Sequence, residues 1–111
     1  MDAADSTKMT KMTEMETPGA VTVEVRIPLG LRRLTGRAST VRATGRTVGE
    51  LLDDLERRFP GFRDKLLDAD GNLNNFTNVY RNGEDIRYQG MLETRLADGD
   101  QVHIVSAVAG G

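Results

Sequence analysis

The chain of 111 residues has no cysteine, no tryptophan, a single histidine, three prolines and five aromatic side chains in all. The missing thiols exclude a disulfide framework, a thiolate metal site and a cysteine nucleophile. With so few aromatics, the core has to be built from Val, Leu and Ile. No run approaches the roughly 20 apolar residues that span a bilayer, and the first residues lack the 7–15-residue apolar stretch of a secretory signal. These absences predict no membrane association and a cytoplasmic location.

Charge of one sign is also missing. The formal charge is −2, and from Ala20 onward thirteen basic residues balance thirteen acidic ones. A nucleic-acid binder would carry a basic excess, so no nucleic-acid partner is expected. Residues 1–19 consist mainly of Thr, Lys, Met, Glu, Asp and Ala, with no period-2 or period-3.6 apolar pattern, and read as a disordered leader. The remainder is short enough for one core, which predicts a single domain over residues 20–106.

Within that domain the patterns are legible. Val21, Val23, Val25 and Ile27 alternate with polar residues, the signature of a strand with one buried face, and Pro28 ends its ladder. A loop with Gly30 and Gly36 leads to a second alternating run over 38–44, closed by Gly45. Thr47 and Glu50 form a capping box, after which Val48, Leu51, Leu52, Leu55 and Phe59 share one helical face. Asp53, Asp54, Glu56, Arg57 and Arg58 are assigned to the wet face, and Pro60-Gly61 stops the helix. Phe62, Leu66 and Leu67 add a short second helical turn.

A third strand is expected over 76–81, then the hairpin turn Asn82-Gly83 and a brief strand over 85–88. After Asp98-Gly99-Asp100 comes a last strand with Val102 and Ile104 inward and Gln101, His103 and Val105 outward. The class is α+β. A mixed four- to five-stranded sheet on one main helix in this order is the β-grasp, or ubiquitin-like, arrangement.

Beyond Val105 the sequence runs Ser106-Ala107-Val108-Ala109-Gly110-Gly111 without a turn signal, helix pattern or charge. Residues 107–111 are therefore expected to form a flexible tail. Two residues without a Cβ can thread a narrow channel and bring a carboxylate to a buried site. Gly110, Ala109 and Val108 would thread, and Gly111 would carry the reacting carboxylate. The plain alternative is a frayed terminus.

From Val21 to Gly111 the sequence resembles the ThiS/MoaD sulfur carriers, and within them the CysO branch. The resemblance is carried by Val21-Thr22-Val23, by the helix from Thr47 to Leu55, and by Phe76-Thr77-Asn78-Val79-Tyr80-Arg81-Asn82-Gly83-Glu84-Asp85-Ile86-Arg87. Ala97-Asp98-Gly99-Asp100 and Ala107-Val108-Ala109-Gly110-Gly111 complete it. Such a likeness implies a carrier without a catalytic site or bound cofactor of its own. ATP and a sulfur source act through an E1-like adenylyltransferase, often fused to a rhodanese domain, and Gly111 becomes a thiocarboxylate. It also implies a sulfur-accepting enzyme, such as a pyridoxal-phosphate cysteine synthase or a thiosugar synthase, and a zinc-dependent peptidase that frees the product. Two other classes stay open: a ubiquitin-like modifier forming isopeptide bonds, and a small subunit of molybdopterin synthase. The carrier is expected to be a monomer.

The remaining candidates are weaker. His103 has no Cys, Asp or Glu at ligand spacing and reads as a surface residue, so no metal site is expected. Asp68-Ala69-Asp70-Gly71-Asn72 lacks the terminal bidentate Glu of a calcium loop and reads as a polar turn. Arg32, Arg33 and Arg37 either keep a loop wet or form a docking surface for an acidic groove on the activating enzyme. Val105 and Val108 are the candidates for apolar partner contact.

Overall fold

The computed structural model describes residues 19–107. The leader up to residue 18, and Val108, Ala109, Gly110 and Gly111, lie outside the described residues. Five strands form one sheet: β1 (Val21–Arg26), β2 (Thr40–Gly45), β3 (Thr77–Arg81), β4 (Glu84–Asp85) and β5 (Gln101–Ser106). Their order is β2-β1-β5-β3-β4. β1 and β5 run parallel at the centre and the other pairings are antiparallel. The main helix α1 (Val48–Arg58) packs on one face, followed by the short α2 (Phe62–Leu66). This is the β-grasp arrangement that the element order predicts.

Alternation decides which face is covered. Val23, Val25, Val79, Val102 and Ile104 turn inward and meet Val48, Leu51, Leu52 and Leu55 of α1, with Phe62 and Leu66 closing one end of the core. These side chains are nearly or wholly sealed from water, each contributing about 1.5–3 kcal/mol of burial free energy. Phe59 terminates α1 as its C-cap and packs half-buried against the core.

The start of α1 is held more elaborately than a simple capping box. Thr47 Oγ1 accepts from Glu50 N at 3.2 Å, as the box requires. The Glu50 carboxylate, however, reaches past Thr47 to accept from Arg46 N at 2.8 Å and from the Arg46 guanidinium. Val48 N, an orphan donor of the first turn, is satisfied by Thr94 O at 3.0 Å. The segment Thr94–Leu96 thus fastens the helix start, and Leu96 N donates to Arg46 O at 2.9 Å.

Four local expectations need correction. The connection after β1 is not an open loop: Leu29–Thr35 winds as a 3-10 helix, because Pro28 supplies an acceptor for Leu31 N and Gly36 closes the turn at φ 65°. The second strand begins at Thr40 rather than 38, since Ala38 N is committed to Thr35 O. The strand expected over 85–88 covers only Glu84–Asp85, because the Asp85 side chain accepts from Arg87 N and winds Ile86–Tyr88 into a 3-10 turn. Asp54, placed on the wet face, is buried; its carboxylate accepts from Thr44 N at 2.8 Å, with Arg57 and Arg58 also on it.

Candidate functional site

The site is built around the root of the C-terminal segment. β5 is flanked on both sides, by β1 in parallel and by β3 antiparallel, so its direction is fixed by two ladders. Because β1 and β5 run the same way, Val21 opens β1 at one end of the sheet and Ser106 closes β5 at the other. Ala107 N donates to Phe76 O at 2.8 Å, one rung beyond the Thr77–Ser106 pair. That bond is the last the backbone makes among the described residues, and four residues follow it.

Upstream, a polar clamp holds the start of β5. Asp100 accepts from Arg81 Nε at 2.6 Å, Asn82 Nδ2 at 2.9 Å and Ala97 N at 2.7 Å. Burial pushes the Asp100 carboxyl up, but these three donors outweigh it and hold the pKa below its ordinary value. Asn82 stands at φ 52° and Gly83 at φ 87°, the left-handed pair of a type I′ hairpin turn. The Asn82 side chain also accepts from Gln101 N at 2.9 Å. Two turns recognisable separately in the sequence are therefore one structure, locked to the first residue of the last strand.

The sheet face away from α1 is open. A groove of about 790 Å³ runs over it between β1, β3 and β5, with Glu24, Arg26, Tyr80, Gln101, His103 and Val105 among its lining. His103 is exposed and stands in register between Arg26 and Tyr80. Toward the tail the face turns apolar: Val105 is half-buried, and Phe76, beside Ala107, is 57% exposed. Phe76 opens a strand-like run that does not mark it as a surface residue; its place outside the ladder, one residue before β3, is what exposes it.

The other predicted residues divide. Val105 lies at the tail root, paired with Asn78. Arg32, Arg33 and Arg37 belong to the 3-10 segment and its closing turn, which follows β1 and so sits at the tail's end of the sheet. Arg32 is engaged internally, donating from Nε to Ile27 O at 3.0 Å. Arg33 and Arg37 are exposed, Arg37 at φ 74°. Among the described residues no three His, Cys, Asp or Glu side chains gather to hold a metal, and no helix is long and apolar enough to cross a membrane. Asp68 Oδ1 instead accepts from Asp70 N and Asn72 N, making the polar turn.

The ThiS family model matches residues 25–111, which includes the whole of β5 and the segment through Gly111. The chain belongs to the ThiS family. Within it, the sulfur carrier protein CysO of Mycobacterium tuberculosis is 46% identical over 91 residues, covering 80% of this chain and 98% of the relative. The crystal structure of the Amycolatopsis orientalis BexX/CysO complex superposes at a TM-score of 0.74 with 46% identity, over 80% of this chain and 99% of the matched one. The small archaeal modifier protein 1 of Methanosarcina acetivorans has the same fold at a TM-score of 0.72 and 26% identity, over 83% and 98% of the two chains. The ThiS-family resemblance and the β-grasp expectation both hold.

Proposed function

We propose that this ThiS-family protein is a sulfur carrier whose Gly111 carboxylate is the working group. The observation that carries this is the fixed, doubly flanked β5 leading to Ala107, with the family match continuing through Gly110 and Gly111. The likeness to a protein called a sulfur carrier supports it. A carboxylate is a poor electrophile, so an ATP-using, E1-like enzyme first attaches it to the α-phosphorus of ATP and expels pyrophosphate. Sulfide then attacks the acyl carbon of the adenylate, AMP leaves, and a thiocarboxylate remains. If the sulfur arrives as an enzyme persulfide, an acyl disulfide forms and a second thiol reduces it to release the same product.

This chain's part is presentation. The folded domain fixes the origin of the tail, and glycine at 110 and 111 keeps the last backbone slim. Gly111, Gly110, Ala109 and Val108 are the residues proposed to enter the enzyme. The lack of cysteine leaves the terminal acyl carbon as the atom that holds sulfur. The proposed acceptor is a pyridoxal-phosphate cysteine synthase, with a zinc-dependent peptidase returning the carrier, or a thiosugar synthase.

Incubation with the activating enzyme of the same genome, ATP and sulfide should yield a chain with one oxygen replaced by sulfur in intact mass. Deletion of Gly111 should abolish that change while leaving the circular dichroism spectrum intact. An unchanged mass for the full chain rejects the proposal. A second reading, a protein modifier, is favoured by the likeness to the archaeal modifier. A ladder of lysine-linked conjugates in lysate, lost on Gly111 deletion, would support it.

A further inference from the structure

The polar open face turns apolar where the tail leaves it. Four large hydrophobic side chains are exposed among the described residues: Leu29 at 77%, Phe76 at 57%, Tyr88 at 81% and Met91 at 40%. Three of them belong to the tail's end of the sheet, and two of these stand beside the tail root. Phe76 is tied to the tail root by the Ala107 N to Phe76 O bond. Leu29 follows β1, whose C-terminal end lies at the same end as that of β5 because the two strands are parallel. Tyr88 follows β4, which also runs parallel to β5, so it lies toward the same end but further out, beyond β3. Met91 stands at the opposite end, in the 3-10 turn whose Leu92 lies against Gly49 in the first turn of α1.

Reach converts this placement into an interaction surface. After Ala107 the chain has four residues, Val108 to Gly111. Fully extended at about 3.3–3.6 Å per residue, they span at most about 14 Å. An enzyme that acts on the Gly111 carboxylate inside a channel must therefore bring the mouth of that channel against the tail root. No spacer is long enough to keep the domain away. Whatever surrounds the root is then pressed against the enzyme, and exposed apolar side chains there are desolvated on docking.

We propose that Phe76 and Leu29, with Val105 between the strands, form an apolar collar around the tail root that seats on an apolar lip at the mouth of the activating enzyme's channel. The collar holds the domain while the tail threads; it takes no part in the chemistry. This rests on the reading of Gly111 as the reacting carboxylate. The collar assigns the docking role to Phe76 and Leu29, with Arg33 and Arg37 at its outer margin.

The test is ATP–pyrophosphate exchange by the activating enzyme as a function of carrier concentration. Phe76→Ser and Leu29→Ser should each raise KM for the carrier about 5–10-fold, as truncation of a buried interface anchor does, with kcat within about twofold. Phe76→Leu should restore most of the lost affinity. Met91→Ser, exposed at the opposite end of the sheet, should leave KM unchanged. Urea denaturation midpoints matching the parent's would show that the substituted surfaces were not needed for folding. If Phe76→Ser and Leu29→Ser keep the parent KM while deletion of Gly111 abolishes exchange, the collar is wrong and the carrier reading stands. If deletion of Gly111 leaves exchange intact, the carrier reading itself fails. An equal rise in KM for Met91→Ser would also overturn the collar, because the effect would no longer belong to the tail root.

Discussion

Asp54 Oδ2 accepts the backbone N–H of Thr44 at 2.8 Å, joining the middle of α1 to the edge strand β2. β2 has a strand partner on one side only, and an unpaired edge donor buried against a helix costs about 1–3 kcal/mol. The carboxylate removes that cost. Arg57 and Arg58 in turn hold the carboxylate, which is itself 3% exposed. The same contact covers part of an edge that would otherwise invite pairing with another chain.

Asp54→Ala should therefore lower unfolding free energy by about 2–3 kcal/mol, the cost of a lost charge-assisted bond plus a stranded donor. Asp54→Asn keeps an acceptor for Thr44 and should cost less. Urea unfolding of both variants reads the difference directly. If replacing Arg57 and Arg58 together costs as much as Asp54→Ala, the stabilisation lies in the ion pairs and the edge-donor account is wrong.

Gly45 ends β2 where the helix start crosses it. A Cβ there would lie 2.7 Å from Leu51 N and 3.0 Å from the Glu50 carbonyl carbon, both backbone atoms. Backbone cannot swing aside as a side chain does, so Gly45→Ala should destabilise by about 1–3 kcal/mol through overpacking. A thermal midpoint equal to the parent's would show that α1 can shift off the strand freely.

What could be read in the sequence, and what could not, follows from how local each cause is. Val21 to Ile27, the α1 apolar face and the Asn82-Gly83 turn are written in spacings of a few residues, and each appears where the pattern puts it. Asp54 is buried against expectation because helical spacing shows a charged residue beside Leu51 and Leu55 but not the strand N–H across from it. The 3-10 segment Leu29–Thr35 is not legible in the sequence because its glycine and arginines carry no periodic signal. The strand pattern does not show Phe76 to be exposed, because exposure at the tail root depends on where β5 ends, 30 residues later in the chain. The tail proposal rests on Gly110-Gly111 taken together with the β-grasp order of elements, and Val108 to Gly111 lie outside the described residues.

The Asp100 clamp gives the fold an acid sensitivity with a definite sign. Its folded pKa lies below the ordinary 3.8, so the unfolded chain takes up the proton first as pH falls. The stability from the clamp is complete above that ordinary value and is lost as pH drops through the folded pKa. Asp100→Asn should be less stable than the parent near neutrality and show a shallower loss of stability from about pH 4 downward. Urea midpoints measured across that range would check it; parallel curves for parent and variant would place the sensitivity elsewhere, Glu50 and Glu56 being the next carboxyls held low by Arg46 and by the Arg63 amide.

The two readings of the arginines now narrow to Arg33 and Arg37, because Arg32 spends its guanidinium on Ile27 O. Both stand at the tail's end of the sheet, where any enzyme reaching Gly111 must approach. Exposed charges at the rim of an interface act on the association rate far more than on the lifetime of the complex, and salt screens them over about 8–10 Å. Arg33→Glu with Arg37→Glu should slow association with the proposed activating enzyme several-fold at low salt, with the difference shrinking as salt is raised. The dissociation rate should change little. Stopped-flow association at a series of salt concentrations separates the readings. Rates that match the parent's at every concentration would leave these arginines as solvated turn residues, and a change confined to dissociation would instead place them inside the contact.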